Sequence, residues 1–300
     1  MVSNEKIEYL RKVIDEADAI VVGGASGMSA AAGFVFYYQD DDVYRSLAGG
    51  LAEKYGIHNL FDLFYDRRLT RGEHWGSMLR MNRYIYECRT GDTYTDLAEL
   101  LKGKDYYIAT TNQDAQFFRT FPAERITRIQ GDWRYWQCSR PCHDRIYYNE
   151  KQVAELCTHI EGDSLPDSLI PRCPHCGSEM EPWVRGYTFL QGELYNREMR
   201  RYTDYLKRNS RRKTLFLELG VGMMTPMFIK EPFMNMVYQW PDAFYVTINP
   251  QHAIVPHEIE KKSLAISDDI SLTLRRLLGK SVDGAAGTDG GRLFNPSRIY

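Results

Sequence analysis

The chain has 300 residues, 43% hydrophobic and 26% charged, so it is long enough to bury a full core in one large domain or two smaller ones. Its net charge is −2 and its basic residues form no long block, which argues against a surface that follows nucleic-acid phosphates. No segment approaches the roughly 18 apolar residues of a membrane span, and the N-terminus lacks an apolar signal core. We therefore expect a cytoplasmic protein with no membrane or nucleic-acid partner.

Helices and strands alternate along much of the chain. The first predicted helix has Ile7, Leu10 and Ile14 on one face and begins behind a Ser3 or Asn4 cap. It leads into the buried strand AIVVGG. The helix TYTDLAELLKG then leads into the strand YYIATT.

The second half of the chain continues this alternation. The strands TLFLELG and AFYVTIN are separated by a helix after Pro226, and the helical segment SDDISLTLRRLLG follows with Ser267 as its expected cap. Strands alternating with helices predict a parallel, doubly wound sheet, in which ligands bind beyond the carboxyl ends of the strands. The polar or glycine-rich segments GGASG, TTNQD, GVGMM and INPQ all fall at such ends.

Four of the six cysteines stand in two closely spaced pairs, which predict a zinc site. The expected ligands are Cys138, Cys142, Cys173 and Cys176. Four thiolates fill a tetrahedral zinc ion and leave no position for water, so the predicted site is structural. His143 and His175 are near enough in sequence to replace a cysteine as ligand. Cys88 and Cys157 have no partner in the pattern and are expected in the core.

The glycine-containing stretch from Val22 to Phe34, VGGASGMSAAAGF, follows a predicted strand and opens a helix of small residues. At such a turn, backbone N–H groups and the helix N-terminus bind the pyrophosphate of a dinucleotide. The stretch is not G-x-G-x-x-G, so taken alone it fits either a dinucleotide site or a plain tight turn.

Several motifs in the same order resemble those of the sirtuin family. ASGMSAAAG at 25–33 is similar to the family's GAG-x-S-x-x-x-G, TTNQD at 110–114 to TQNID, and GVGMMTP at 220–226 to G-T-S-L-x-V-x-P. The two cysteine pairs follow in the family's order, and residues 248–249 resemble its ribose-binding I-N. The resemblance covers most of the chain outside residues 40–90. It implies a Rossmann-like domain plus a zinc-ribbon domain, with NAD and substrate in the cleft between them.

Departures from the family pattern affect the expected chemistry. Gln130 stands where sirtuin deacylases carry a general-base histidine, and an amide has no titratable nitrogen near pH 7, so the deacylase step should be crippled. The family's P-D-F-R falls on Val35, Phe36, Tyr37 and Tyr38. By contrast, Asn112 and Asp114 are retained; in the family they hold the ribose and the nicotinamide amide.

The glutamine and the GVGMMTP loop are most similar to the macrodomain-linked, or class M, sirtuins of microbes. This resemblance implies NAD-dependent protein mono-ADP-ribosylation, with nicotinamide released and a lipoylated glycine-cleavage H-like carrier protein as acceptor. It also implies a macrodomain hydrolase encoded as a separate chain. Breaking the nicotinamide–ribose bond gives an oxocarbenium-like C1′, which needs a polar pocket and a firmly held ribose more than a strong base.

The resemblance also implies site residues. The expected catalytic residues are Asn112, Asp114, Gln130 and Arg185, of which Arg185 contacts the acceptor or positions the ribose. The expected NAD-binding residues are Gly24, Ala25, Ser26, Gly27, Met28, Ser29, Gly33, Phe34, Thr111, Asn112, Gln113, Asp114, Gln130, Gly220, Val221, Gly222, Met223, Asn249 and Pro250. The side chains of Met223 and Met224 are expected to pack the loop, while their backbone lines the phosphates.

The predicted fold is therefore α/β: a Rossmann-like, doubly wound parallel sheet with a small zinc-ribbon module and a helical insert. The NAD-binding domain is predicted to span 1–133 and 189–282, with the insert at about 40–90. The zinc module is predicted at 134–188 and a C-terminal tail at 283–300.

The sequence is also compatible with other functions. The chain fits a weak NAD-dependent deacylase in which Gln130 only orients the ribose, and it fits a non-enzymatic NAD sensor. Gln130 is also compatible with a structural role in a degenerate enzyme, and Arg185 with a surface salt bridge.

Overall fold

A computed structural model describes residues 2–35 and 38–282. Within them the α-helices are α1 (Asn4–Glu16), α2 (Ser26–Ala31), α3 (Asp42–Ala48), α4 (Leu51–Tyr55), α5 (Leu60–Tyr65), α6 (Arg71–Glu87), α7 (Asp92–Leu100), α8 (Gln116–Thr120), α9 (Glu150–Cys157), α10 (Glu193–Asn209), α11 (Lys230–Gln239) and α12 (Ile270–Leu277). The β-strands are β1 (Ala19–Gly24), β2 (Tyr106–Thr110), β3 (Ile126–Arg128), β4 (Gly131–Cys138), β5 (Ile146–Tyr148), β6 (Met180–Val184), β7 (Thr214–Leu219), β8 (Ala243–Ile248) and β9 (Ser263–Ile266). Short 3₁₀ helices occupy Ala123–Arg125, Asp167–Leu169, Pro226–Phe228 and His257–Lys262. Phe36, Tyr37 and the predicted tail at 283–300 lie outside the described residues.

Six strands form one parallel sheet in the order β3-β2-β1-β7-β8-β9. Strands β1 and β7 are buried along their whole length, which explains why their sequences are mostly apolar. From β1 the chain runs outward on one side through β2 and β3, and on the other side through β7, β8 and β9. The pair β1–β7 is therefore the point where the strand order reverses, the place at which doubly wound sheets bind ligands.

The helix boundaries follow local capping chemistry. Helix α1 begins behind Ser3, whose hydroxyl accepts a hydrogen bond from the Lys6 amide at 3.3 Å, as predicted. The prediction of Ser267 as the cap of α12 is wrong. Asp269 is the cap, and its carboxylate accepts from the Leu272 amide at 2.9 Å. A carboxylate at this position also interacts favourably with the positive end of the helix dipole.

The register aligns the ends of the strands in one row. Thr110 is paired with Gly24 and with Arg128, and on the other side Leu219 is paired with Gly24 and with Ile248. Because all these strands run in the same direction, the segments that follow them leave the sheet at the same edge. The sheet thus brings together segments that lie up to about 225 residues apart in sequence.

The chain divides into two compact units. The described part of the first unit comprises residues 2–32, 90–131 and 193–282 and contains the parallel sheet. Its core lies between the sheet and helices α10 and α11, with Phe216, Phe233 and Tyr245 fully buried.

The described part of the second unit comprises residues 33–35, 38–89 and 132–192. It contains helices α3 to α6 and α9 and a small sheet in the order β5-β4-β6. Arg80 of α6 is buried and donates to the Asp163 carboxylate at 2.6 Å and to the Gly162 carbonyl at 2.7 Å. The predicted helical insert is therefore anchored to the cysteine-containing segment. No helix in the described ranges has the length and apolar character needed to cross a membrane.

Candidate functional site

The loop after β1 is packed directly against the loop after β7. The Gly27 amide donates to the Gly220 carbonyl at 3.1 Å, and the Ala25 amide donates to the Leu219 carbonyl at 3.2 Å. A methyl group on Gly27 would lie 2.6 Å from the Gly220 Cα, closer than real Cβ contacts allow. Glycine is thus required so that the two backbones can meet. The loop after β1, which the sequence predicts to bind pyrophosphate, therefore uses two of its backbone amides to hold the loop after β7.

Gly220→Ala is expected to destabilise the fold by about 3 kcal/mol. Gly220 has φ +69°, which costs an alanine about 1 kcal/mol, and the new methyl would lie 2.6 Å from the Met28 amide nitrogen, which adds an overpacking cost of about 2 kcal/mol. Urea denaturation measures the change. Gly103→Ala is the matched control, because Gly103 also has positive φ but open space around its Cα. Equal losses in the two variants would mean that the loop contact contributes nothing.

Asn112 follows β2 and points its amide across the β1 loop. Its Nδ2 donates to the Ala25 carbonyl at 3.0 Å and to the Tyr94 hydroxyl at 3.2 Å, and its own amide donates to the Thr110 hydroxyl at 3.0 Å. Its Oδ1 has no hydrogen-bond partner among residues 2–35 and 38–282, and the side chain is half-buried. The amide is therefore firmly held on its nitrogen side and has an acceptor available on the other.

Asp114 belongs to the same polar network. The Ser29 hydroxyl of α2 donates to Asp114 Oδ2 at 2.5 Å, the Gln116 amide donates to Oδ1 at 3.1 Å, and the Tyr94 hydroxyl lies 3.2 Å from the Ser29 oxygen. Asp114, Ser29 and Tyr94 are all buried. The structure thus brings three predicted site residues, Ser29, Asn112 and Asp114, into one network.

Tyr94 is a site residue that the sequence did not indicate. It lies in α7, where a tyrosine among apolar residues is expected to be a core residue. Its ring does pack edge-on against Phe117, with the ring centres 4.9 Å apart. Its hydroxyl connects Asn112 to Ser29. That second role depends on α7 crossing the end of α2, which the Thr93 hydroxyl secures by donating to the Ala31 carbonyl at 2.8 Å.

The residue after Asp114 is strained. Ala115 has φ +62°, a left-handed conformation that costs an alanine about 1 kcal/mol. It precedes α8 and lets the Gln116 amide turn back onto the Asp114 carboxylate. Strain of this kind is maintained where the surrounding contacts require it, often at functional sites.

Gln130 lies in the turn after β3, at the same edge of the sheet. Its carbonyl accepts from Gln113 Nε2 at 3.2 Å, which links the β3 turn to the TTNQD segment. The Gln130 carboxamide is half-buried and makes no hydrogen bond within the described part of the chain. The side chain can donate and accept hydrogen bonds but cannot act as a base near pH 7.

Asn249 fixes the loop after β8 to the loop after β7. It is buried, its Nδ2 donates to the Val221 carbonyl at 3.1 Å, and its Oδ1 accepts from the amides of Gln251 and His252 at 2.9 and 3.0 Å. Both ends of its side-chain amide thus hydrogen-bond to the backbone of these two loops. Pro250 is exposed.

The methionines after Gly222 differ from the prediction. Met223 and Met224 are 52% and 65% exposed, so their side chains do not pack the loop. The loop is instead held by backbone contacts of Gly220 and by Asn249, which leaves the thioethers in solvent.

Three predicted site residues belong to the second unit. Gly33, with φ +90°, and the buried Phe34 follow the end of α2. Arg185 follows β6, and its guanidinium lies 4.6 Å from the centre of the Phe189 ring, which in turn stacks on Trp183 at 5.4 Å. An aromatic ladder thus supports the Arg185 side chain.

The four predicted metal ligands come together in the second unit. Their Sγ atoms all lie within 4.8 Å of one another. Cys138 and Cys176 are 3.5 Å apart, and Cys142 and Cys173 are 3.7 Å apart. A tetrahedral zinc ion with Zn–S bonds of about 2.3 Å requires sulfurs about 3.8 Å apart. The cluster therefore fits a zinc ion.

The surroundings of the cysteines affect the individual thiols differently. Hydrogen bonds from the side chain and backbone of Ser178 lower the pKa of the Cys176 thiol to about 6, whereas burial and the neighbouring thiols raise the pKa of Cys142. His143 Nδ1 lies 3.0 Å from Cys142 Sγ, and its Nε2 lies 2.7 Å from the Tyr147 hydroxyl. His143 and His175 could complete an alternative set with Cys142, because these three ligand atoms also lie within 4.8 Å of one another.

Comparison with known proteins gives matches over nearly the whole chain, although no family model matches it. It is 30% identical over 278 residues to a protein ADP-ribosyltransferase of Staphylococcus aureus, covering 91% of this chain and 87% of that protein. It is 29% identical over 287 residues to a probable bifunctional ADP-ribose hydrolase/ADP-ribosyltransferase of Fusarium oxysporum f. sp. cubense, covering 91% of this chain and 47% of that protein.

Solved structures share the fold. A sirtuin examined for the structural basis of substrate affinity superposes with a TM-score of 0.57 at 17% identity, covering 93% of this chain and 99% of that one. A complex of Sir2 with a p53 peptide and NAD+ gives a TM-score of 0.57 at 18% identity, covering 91% and 96%. Together with the parallel sheet and the cysteine cluster, these matches confirm the predicted α/β fold.

Proposed function

This chain belongs to the sirtuin-like protein ADP-ribosyltransferases, and we propose that it transfers a single ADP-ribose from NAD to a protein acceptor and releases nicotinamide. The observation that carries the proposal is the polar network at the strand ends. Asn112, Tyr94, Ser29 and Asp114 are joined by hydrogen bonds of 2.5 to 3.2 Å, beside a glutamine in place of a general base. Such a site favours cleavage of a glycosidic bond by positioning.

The proposed roles of the polar residues follow from their contacts. Asn112 accepts a hydrogen bond from a ribose hydroxyl through its Oδ1, because its Nδ2 already donates to Ala25 and Tyr94. Asp114 faces the nicotinamide amide, with its carboxylate held by Ser29. Gln130 orients the ribose with its carboxamide.

The remaining cofactor contacts are assigned by their place at the strand ends. We propose that NAD lies along the row of segments that leave the sheet together. The contributing residues are Gly24, Ala25, Ser26, Gly27, Met28, Ser29, Gly33, Phe34, Thr111, Gln113, Gly220, Val221, Gly222, Met223, Asn249 and Pro250.

The proposed transfer needs no base from the protein. The bond between C1′ and the nicotinamide nitrogen breaks, and nicotinamide leaves with the bonding pair and without charge. A nucleophilic side chain of the acceptor forms the new bond to C1′ and loses its proton to solvent. The protein holds the ribose still and supplies a polar environment, which are the two contributions that this transition state needs.

We propose that the cysteine cluster binds one structural zinc ion through Cys138, Cys142, Cys173 and Cys176. The spacing of the sulfurs supports this assignment. The zinc would supply a cross-link between β4 and the turn before β6 and would take no part in transfer, because four thiolates complete its coordination. We also propose a cytoplasmic location, because cysteines paired at metal-ligand spacing are typical of reducing compartments.

We propose a lipoylated carrier protein as the acceptor, with Arg185 as a contact for it. The Arg185 guanidinium is held over the Phe189 ring, which suits a residue that presents its charge to a partner. We further propose that a macrodomain hydrolase removes the modification. The relative from Fusarium oxysporum, whose name joins an ADP-ribose hydrolase to an ADP-ribosyltransferase, supports such a pairing.

Mass spectrometry of a reaction with NAD and a lipoylated carrier tests the proposal. We expect the carrier to gain the mass of one ADP-ribose while nicotinamide appears in equal amount, and we expect Gln130→Ala to slow the transfer about tenfold, because a ribose hydrogen bond is lost. The unlipoylated carrier is the matched control for the acceptor. Removal of an acyl group with formation of acyl-ADP-ribose would instead identify a deacylase, and NAD binding without nicotinamide release would identify a sensor.

A further inference from the structure

A buried ion pair lies one residue before the end of β7. Glu218 is fully buried and Lys230, the first residue of α11, is 3% exposed, and their Nζ–Oε1 distance is 2.6 Å. The Thr247 hydroxyl also donates to Glu218 Oε1 at 3.0 Å, and the Tyr245 hydroxyl donates to Oε2. The carboxylate is therefore fully engaged inside the core of the first unit.

Stability does not explain this pair. Two charges are taken out of water, and apolar residues of similar volume often stabilise a core at least as well as such a pair. Lys230 also stands in the first turn of a ten-residue helix, where a positive charge opposes the helix dipole. A polar pair that is unfavourable in both respects is expected to provide a specific contact that an apolar pair cannot.

That contact is the second hydrogen bond of Lys230. Its Nζ also donates to the His252 carbonyl at 3.1 Å, in the loop after β8. The same loop is closed by Asn249, which accepts from the His252 amide and donates to the Val221 carbonyl. These contacts connect Glu218 through Lys230, His252 and Asn249 to Val221. Val221 lies three residues after Glu218 in the chain, so the backbone between them closes the path.

We propose that Glu218 and Lys230 are positioning residues that hold the loops after β7 and β8 in the arrangement that binds NAD. Lys230 acts through the His252 carbonyl and Asn249, and Glu218 acts by fixing the Lys230 ammonium. The consequence for NAD rests on the proposed function, whereas the anchoring of the loops is a property of the chain itself.

The test removes both charges together, in Glu218→Gln/Lys230→Met. Removing Lys230 alone would leave an unpaired buried carboxyl, whose pKa burial already raises. The double variant retains the volume of the core but loses the donor to His252. We expect the amides of Gln251 and His252 to exchange with deuterium about tenfold faster, because Asn249 then closes a loop with one anchor fewer. We expect the KM for NAD to rise about tenfold, with kcat changed less than about threefold.

Tyr245→Phe is the matched control. It removes a donor from the same carboxylate but leaves the bond between Lys230 and His252 intact. Its unfolding midpoint is expected to fall, while the exchange of the two loop amides and the KM for NAD stay at the wild-type values.

The outcomes separate the two levels of the proposal. Loop-amide exchange in the double variant no faster than in Tyr245→Phe would overturn the anchoring, and faster exchange with an unchanged KM would overturn the positioning role. A wild-type protein that releases no nicotinamide from NAD contradicts the proposed function alone, because the exchange measurement requires no cofactor and still decides whether the pair anchors the loops.

Discussion

Replacing Asn112 with alanine is expected to lower the rate of nicotinamide release from NAD by about 100-fold or more. Among the described residues no donor contacts Asn112 Oδ1, and the Asn112 nitrogen is held in place by Ala25 and Tyr94. Loss of one preorganised polar contact at a reacting centre typically costs a factor of about 100 to 1,000. Chromatographic assay of nicotinamide over a range of NAD concentrations measures the effect on kcat and on KM.

The control for this variant is Asn209→Ala. Asn209 is a fully buried asparagine whose Nδ2, like that of Asn112, donates to a backbone carbonyl, in this case that of Tyr205 at 2.9 Å. It ends α10 just before β7 begins, at the edge of the sheet opposite the strand ends. Its replacement is expected to lower thermal stability with little change in kcat. Comparable losses of kcat in both variants would show that Asn112 supports only the fold.

Replacing the buried Cys173 with serine is expected to remove the zinc ion and melt the module around it. Zinc content, measured by atomic emission, should fall from about one ion per chain to near zero, because three thiolates bind far less tightly than four. The midpoint of thermal unfolding should fall by about 10 °C or more, since the binding energy of a structural zinc contributes to folding.

The loss is expected to extend into the helical insert. Glu179, three residues after Cys176, accepts hydrogen bonds from Trp75 Nε1 at 2.7 Å and from Arg71 at 2.6 Å, both in α6. Hydrogen exchange in α6 should therefore rise in Cys173→Ser. Cys157→Ser is the control, because Cys157 lies outside the cluster. Full zinc content in Cys173→Ser would instead favour His143 or His175 as a replacement ligand.

The amino-acid sequence by itself determined the scaffold and the places at which chemistry is located. Mostly apolar runs such as AIVVGG and TLFLELG specify buried parallel strands, because the side chains of such strands meet no water on either face. In a parallel sheet the carboxyl ends share one edge, so the positions of Gly24, Thr110 and Leu219 already indicate the edge at which doubly wound sheets bind ligands. Cysteine spacing indicates the four-cysteine cluster for an equally local reason, since the two members of each pair lie close together in the sequence.

Contacts between distant segments were decided only in the tertiary structure. Tyr94 becomes part of the site because α7 crosses the end of α2, and Glu218 meets Lys230 because α11 packs on β7. A tyrosine in an amphipathic helix and a lone glutamate in an apolar strand have no sequence periodicity that identifies their partners. Local chemistry is readable along the chain because its causes lie within a few residues, whereas the partner of a buried polar group is set by packing between elements that the sequence leaves far apart.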